Sequence, residues 1–309
     1  MTFGTASKGV YSIAPTPFLD TGEIDYSSID RLVDLYQKSG CSGITILGLM
    51  GEASKLEPSE SLSVVKRVLS RSALPVVVGV SSPGFASMRS LAREVMEIGA
   101  AGVMIAPSPV LRTDEQILNY FALAVEAVGE DVPWVLQDYP LALSVVMSAD
   151  VIAKIFTNHP SCVMLKHEDW PGLEKISKLR LQQSSNILRP FSILCGNGGL
   201  FLDFELERGA DGAMTGYGFP EMLCELVHLQ NIGEREAAHE VFDVHLPLIR
   251  YEQQLGVGLA VRKYVLMRRG FITSDAQRRP TQSLSDTGRF EVDYLLKRLS
   301  RCEYQLAYD

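Results

Sequence analysis

The sequence predicts an α/β protein, a (β/α)8 barrel of the TIM type followed by a C-terminal helical extension. Short, wholly apolar runs alternate with helix-like segments eight times. Such runs read as strands buried on both faces, as in a parallel sheet covered by helices. Beyond about residue 234 only helical patterns remain. The rival, a doubly wound sheet, usually has fewer repeats or a glycine-rich phosphate loop after its first strand, and neither is seen. The expected division is barrel 8–233 and extension 234–309, with no Gly-, Ser- or Pro-rich linker to make the extension independent.

The first strand is predicted over Gly9–Ala14, followed by a loop with Pro15, Pro17 and an Asp20-Thr21-Gly22 turn. A 3.6-residue period from Ser27 to Lys38 places Ile29, Leu32, Val33 and Tyr36 on one helix face, and Gly40 supplies a stop. The second strand, Gly43–Leu47, exits through Gly48-Leu49-Met50-Gly51-Glu52. The next helix, near Glu60–Ser70, opens with Pro58 and glutamates that suit a helix N-terminus. Strand three is Pro75–Val80, its helix Ala86–Ile98, and strand four Gly102–Ala106. Thr113 with Gln116 forms a capping-box pattern for the helix that follows. Strand five is Pro133–Tyr139, with a short helix near Ala149–Phe156. Strand six carries Lys166 in Val163-Met164-Leu165-Lys166-His167-Glu168-Asp169, and Leu173–Leu181 is helical. Strand seven is Phe191–Leu194 and strand eight Gly212–Thr215, exiting through Gly216 to Pro220. The extension contains helical patterns at Ala237–Tyr251, Leu259–Arg269 and Arg289–Leu299.

The bulk numbers exclude several classes of function. The 309 residues are 46% hydrophobic and 21% charged, an ordinary globular composition with enough apolar material for a large core. A net charge of −8 with no basic run argues against a nucleic-acid partner. The five cysteines are scattered and odd in number, which fits neither a disulfide framework nor a metal site. HxH, HExxH and spaced carboxylate clusters are missing, so no metal is expected, and Gly196-Asn197-Gly198-Gly199 lacks the context of a dinucleotide loop. No cofactor is expected. The opening MTFGTASKGV has no signal-peptide core, and no apolar run reaches the ~18–20 residues that span a bilayer. A cytoplasmic protein without a membrane partner is the expectation.

Catalytic groups of such barrels sit at the C-terminal ends of the strands. Lys166 ends strand six beside apolar residues, where an ammonium is costly to desolvate and a neutral amine is a nucleophile toward carbonyls. The same rule gathers Leu49, Met50, Pro109, Gln137, Asp138, Tyr139, Asn197, Met214 and Tyr217 at the mouth. This predicts a mouth poor in charge apart from the lysine, an environment that favours the neutral amine. Strand alternation puts Gln137 and Tyr139 on one face, and turns Asp138 and His167 away toward structural roles. Glu52 reads as a loop anchor, and Arg268 and Arg269 as helix surface or subunit contacts.

Over roughly Lys8 to Ile272, the strand order, Gly48-x-x-Gly51-Glu52, the strand-six lysine and the C-terminal helices resemble the dihydrodipicolinate synthase and N-acetylneuraminate lyase family. The resemblance implies a barrel, usually a homotetramer, whose lysine forms a Schiff base with pyruvate or another 2-oxo acid. Lys166 falls on that lysine, the backbone amides of Leu49 and Met50 on the carboxylate-holding loop, and Met214 on the strand-eight position that touches the keto acid. The chain also departs from the pattern. Leu49 and Met50 replace the two loop hydroxyls of Gly-Thr-Thr-Gly-Glu, and Gln137 stands where the proton-carrying tyrosine is usual. The second relay tyrosine falls near Pro109, and the arginine that binds the synthase's second substrate near Ala142.

The reading is a Schiff-base lyase acting on a 2-oxo acid by aldol chemistry, dehydration or deamination. Lys166 would be the nucleophile, Gln137 would position a hydroxyl or water, and Tyr139 or a substrate group would carry protons. Two alternatives stay open: a true dihydrodipicolinate synthase, and a non-catalytic barrel that binds a keto acid.

Overall fold

The computed structural model describes residues 3–306. Eight parallel strands close in chain order: β1 (Gly9–Ile13), β2 (Gly43–Ile46), β3 (Val76–Gly79), β4 (Gly102–Ile105), β5 (Trp134–Asp138), β6 (Cys162–His167), β7 (Ser192–Cys195) and β8 (Gly212–Ala213). This is the (β/α)8 barrel read from the sequence. Apart from Gly9, every strand residue is buried, as their apolar character on both faces requires. Closure between β1 and β8 depends on a glycine pair. At Gly212, φ is +149° and a Cβ would lie 2.0 Å from the Gly9 carbonyl oxygen, so any side chain would push the seam apart. β8 is shorter than predicted, although Met214 N still donates to Cys195 O at 2.8 Å and Thr215 O accepts from Ile13 N at 2.9 Å.

The local signals act as anticipated. Helix Tyr26–Lys38 buries Ile29, Leu32, Val33 and Tyr36, and Gly40 follows with φ +80°. Thr113 and Gln116 form the reciprocal capping box that opens helix Asp114–Val128. Three helices were missed: Pro140–Leu143, Leu202–Glu207 and Pro220–Ile232. The first two are too short to show a period. The third carried readable punctuation, with Pro220 in its first turn and Gly233 as a left-handed cap.

Two apolar cores result. A large one fills the space between strands and helices. A smaller one fills the barrel interior with Tyr11, Ile13, Met104, Met164, Leu194 and Met214 among its members, and Phe3 and Met50 pack against it. The C-terminal helices Arg235–Glu252, Gly258–Arg268 and Asp286–Leu306 follow, and Gly258–Arg268 carries the buried Arg262 and Lys263. Among the described residues, no helix is long and apolar enough to cross a membrane, and no His/Cys/Asp/Glu cluster has metal-site geometry.

Candidate active site

The site is assembled where β5, β6 and β7 end. Their register sets Gln137 opposite Lys166 and Lys166 opposite Leu194. Alternation carries Lys166 and Glu168 to the same side of β6, and a bond from Glu168 N to Asp138 O at 2.8 Å continues the ladder past the strand. Lys166 is 5% exposed. Its Nζ lies 3.0 Å from Oε2 of Glu168, and the same oxygen accepts a hydrogen bond from Gln137 Nε2 at 2.7 Å. Asn197 steadies the carboxylate's backbone, with Nδ2 donating to Glu168 O at 2.9 Å. Gly196 makes room for the side chain, since a Cβ there would sit 2.3 Å from Glu168 Cγ and 2.6 Å from its Oε1.

These groups open onto a cavity of about 180 Å³. Leu49, Met50, Gln137, Tyr139, Lys166 and Asn197 all line it, so the structure brings together most of the predicted mouth. Tyr139 is half-buried, and burial, reinforced by the negative charge of Glu168, pushes its phenol up to about 12.

The loop after β2 is held in an unusual shape. Leu47 (φ +55°) and Glu52 (φ +53°) are both left-handed and flank a 3-10 turn, Leu49–Gly51. Glu52 is 2% exposed and fixes that shape by accepting from Lys263 Nζ (2.6 Å), Lys55 Nζ (2.9 Å) and Arg278 N (3.0 Å). Burial draws the Lys263 ammonium down to about 8, against the pull of Glu52 in the other direction. Glu52 is thus a loop anchor, tied to the helical extension.

The structure corrects other expectations. The mouth is not poor in charge, because Glu168, Glu252 and Arg262 also line the cavity. Glu252 and Arg262 form a buried ion pair, and burial raises the Glu252 carboxyl while Arg262 opposes the rise. Met214 does not line the cavity. It is fully buried in the barrel-interior core, and the wall is made one and two residues later by Thr215 and Gly216. Pro109 is exposed, and Tyr217 is buried with its hydroxyl 2.9 Å from His245 Nδ1; neither lines the cavity. Asp138 and His167 do face the helices, where Asp138 accepts from Lys175 Nζ at 2.8 Å. Arg268 and Arg269 pair with Asp293 and Glu221. Glu168 was within reach of the sequence, because the alternation that groups Gln137 with Tyr139 groups Lys166 with Glu168. Glu252 and Arg262 had no comparable signal, since helix packing alone brings them to the mouth.

A family model described as the dihydrodipicolinate synthetase family matches residues 6–299. A crystal structure of dihydrodipicolinate synthase from Rhodopseudomonas palustris is 62% identical, covers 96% of this chain and 99% of its own, and superposes with a TM-score of 0.95. L-2-keto-3-deoxyarabonate dehydratase of Azospirillum brasilense is 28% identical over 298 residues, 94% of each chain. YagE of E. coli K12, solved in complex with pyruvate, shares the fold at 19% identity with a TM-score of 0.85, covering 96% of this chain and 99% of its own.

Proposed function

The chain belongs to the dihydrodipicolinate synthetase family and is a lyase of its Schiff-base aldolase/dehydratase type, and from that premise we propose that Lys166 forms an imine with a short 2-oxo acid. The observation that carries the proposal is the Lys166 amine, nearly buried yet lining a cavity. The amine attacks the ketone, and the protonated imine then draws electrons from the adjacent carbon. First-turn amides have no partner inside a helix, so those of Leu49 and Met50, which open the turn, suit the substrate carboxylate, whereas the Gly51 amide donates to Gly48 O at 3.0 Å. Gln137 and Tyr139 position the departing hydroxyl or a water. A volume of about 180 Å³ is below the ~300–1,000 Å³ of pockets for drug-sized ligands, which favours a short acid.

Within this chemistry the dehydration of a 2-oxo-3-deoxy acid is favoured, in line with the Azospirillum brasilense dehydratase. The Rhodopseudomonas palustris relative, named as a synthase, favours condensation of pyruvate with a second substrate. Gln137, Pro109 and Ala142 stand where that reaction's relay tyrosines and anchoring arginine are usual, and a neutral amide cannot shuttle a proton. A homotetramer completes the proposal and is tested by sedimentation velocity.

Borohydride reduction in the presence of pyruvate, read by intact mass, tests the imine. One reduced adduct per chain is expected. No adduct with pyruvate or with larger 2-oxo acids would overturn the reading. Turnover of a five-carbon 2-keto-3-deoxy acid, set against condensation of pyruvate, then separates dehydratase from synthase.

A further inference from the structure

We propose that Glu168 is the proton carrier of this site, doing the work that the sequence left to Tyr139 or to the substrate. The proposal rests on the imine reading above. Its support is geometric. Glu168 Oε2 is 3.0 Å from the Lys166 amine and accepts from Gln137 Nε2 at 2.7 Å, so one carboxylate oxygen touches both groups assigned to the reacting end of the substrate. The side chain is buried yet lines the cavity, and Gly196 leaves it space that no other residue would. A carboxylate held only to balance a charge does not need a face on the cavity. Tyr139 lines the same cavity, but its phenol, pushed up to about 12, holds its proton too firmly to serve as a base near neutrality.

The proton balance closes on one carboxylate. Glu168 takes a proton from the Lys166 ammonium, and the free amine adds to C2 of the 2-oxo acid. After a proton moves from nitrogen to oxygen within the adduct, Glu168 returns its proton to the C2 hydroxyl. Water leaves, and the protonated imine forms beside a regenerated carboxylate. Glu168 then removes a proton from C3, giving the neutral enamine. With a hydroxyl at C4, the enamine electrons form the C3–C4 double bond as the C4–O bond breaks, and the Glu168 proton leaves with that oxygen as water. The substrate class is therefore a 2-oxo acid with hydrogen on C3 and a hydroxyl on C4. Hydrolysis of the imine releases the unsaturated 2-oxo product. Gln137, bonded to the carboxylate, is a positioning residue that fixes Glu168 without exchanging protons.

The test uses pyruvate in D2O, where proton removal from C3 appears in NMR as deuterium entering the methyl group. It is paired with borohydride trapping on the same samples. For Glu168→Gln, exchange is expected to fall by ~10²–10⁴-fold, the usual contribution of a general acid–base group. Trapping at Lys166 should still reach the wild-type yield on long incubation. Tyr139→Phe should lose less exchange than Glu168→Gln. Exchange by Glu168→Gln within about threefold of wild type, or a larger loss in Tyr139→Phe, would overturn the assignment. Wild type that traps no adduct would instead sink the imine reading itself, so the two failures are distinguishable. Should the glutamine variant not fold, Glu168→Asp decides, because it keeps the charge but draws it back by one methylene. Full trapping with at least tenfold slower exchange supports the proposal, and unchanged exchange refutes it.

Discussion

On the cavity side of β6, Lys166 meets Glu168 at 3.0 Å; on the helix side, one residue along, His167 lies beside Asp138, which Lys175 contacts at 2.8 Å. Lys175 also reaches Asp169 at 2.6 Å, and Glu205, behind the same strand ends, is nearly buried and bonded to Cys195. Two adjacent clusters thus hold a lysine against buried carboxylates at similar distances. They differ in what they face. Lys166 and Glu168 line the cavity, with Gly196 keeping room for the carboxylate, whereas Lys175 and Asp138 are packed between strand and helix and do not line it. Ion-pair distance therefore does not separate the two lysines, and access to the cavity does, which is why Lys166 is the one proposed as the nucleophile.

The comparison can be broken by substitution. The largest effect is expected for Lys166→Met, which should abolish both trapping and turnover while circular dichroism shows the fold retained. Lys175→Met should do the reverse. It leaves Asp138, fully buried, without its cation, at a cost of about 3–5 kcal/mol in urea denaturation, while folded protein still traps pyruvate to the wild-type yield.

Glu205→Gln sharpens the contrast through pH. Burial pushes the Glu205 carboxyl up to about 7 from 4.5, so the folded chain keeps a proton that the unfolded chain has released. Stability from this group is fully present below pH 4.5 and is lost as pH rises through 7, on the order of 3 kcal/mol across that window. Denaturation of wild type and variant across pH 4–8 should show the glutamine chain flatter. A parallel slope in the two would remove Glu205 from the account.

Gly196→Ala touches the cavity side alone. Its Cβ would fall 2.3 Å from Glu168 Cγ, and displacement of a reacting group by about 1 Å costs ~10²-fold in turnover. The smallest change is expected for Met214→Leu, a near volume-conserving swap in the interior core that should cost less than ~1.5 kcal/mol and leave KM unaltered. A KM raised many-fold would return Met214 to the substrate contacts implied by family resemblance.

The barrel was legible because its signals are local: apolar strands buried on both faces, the Thr113–Gln116 box, and Gly40 after a 3.6-residue period. Lys166, Gln137, Tyr139, Leu49 and Met50 followed from one rule about strand ends, and all five line the cavity. Glu168 was legible in principle by alternation but was absorbed into an acidic stretch after the strand. Met214 was misplaced because its parity points into the barrel, where residues below the mouth are core. Arg262 and Glu252 lie near residues 250–260 and reach the site only through long-range packing of the extension, which no local period encodes.

Peptide mapping of the borohydride-reduced pyruvate adduct tests the central claim most directly, because it asks which of three buried or nearly buried lysines reacts. A single stoichiometric adduct on the peptide carrying Lys166, with Lys175 and Lys263 unmodified, is the predicted result. An adduct on Lys175 or Lys263 in place of Lys166 would contradict it.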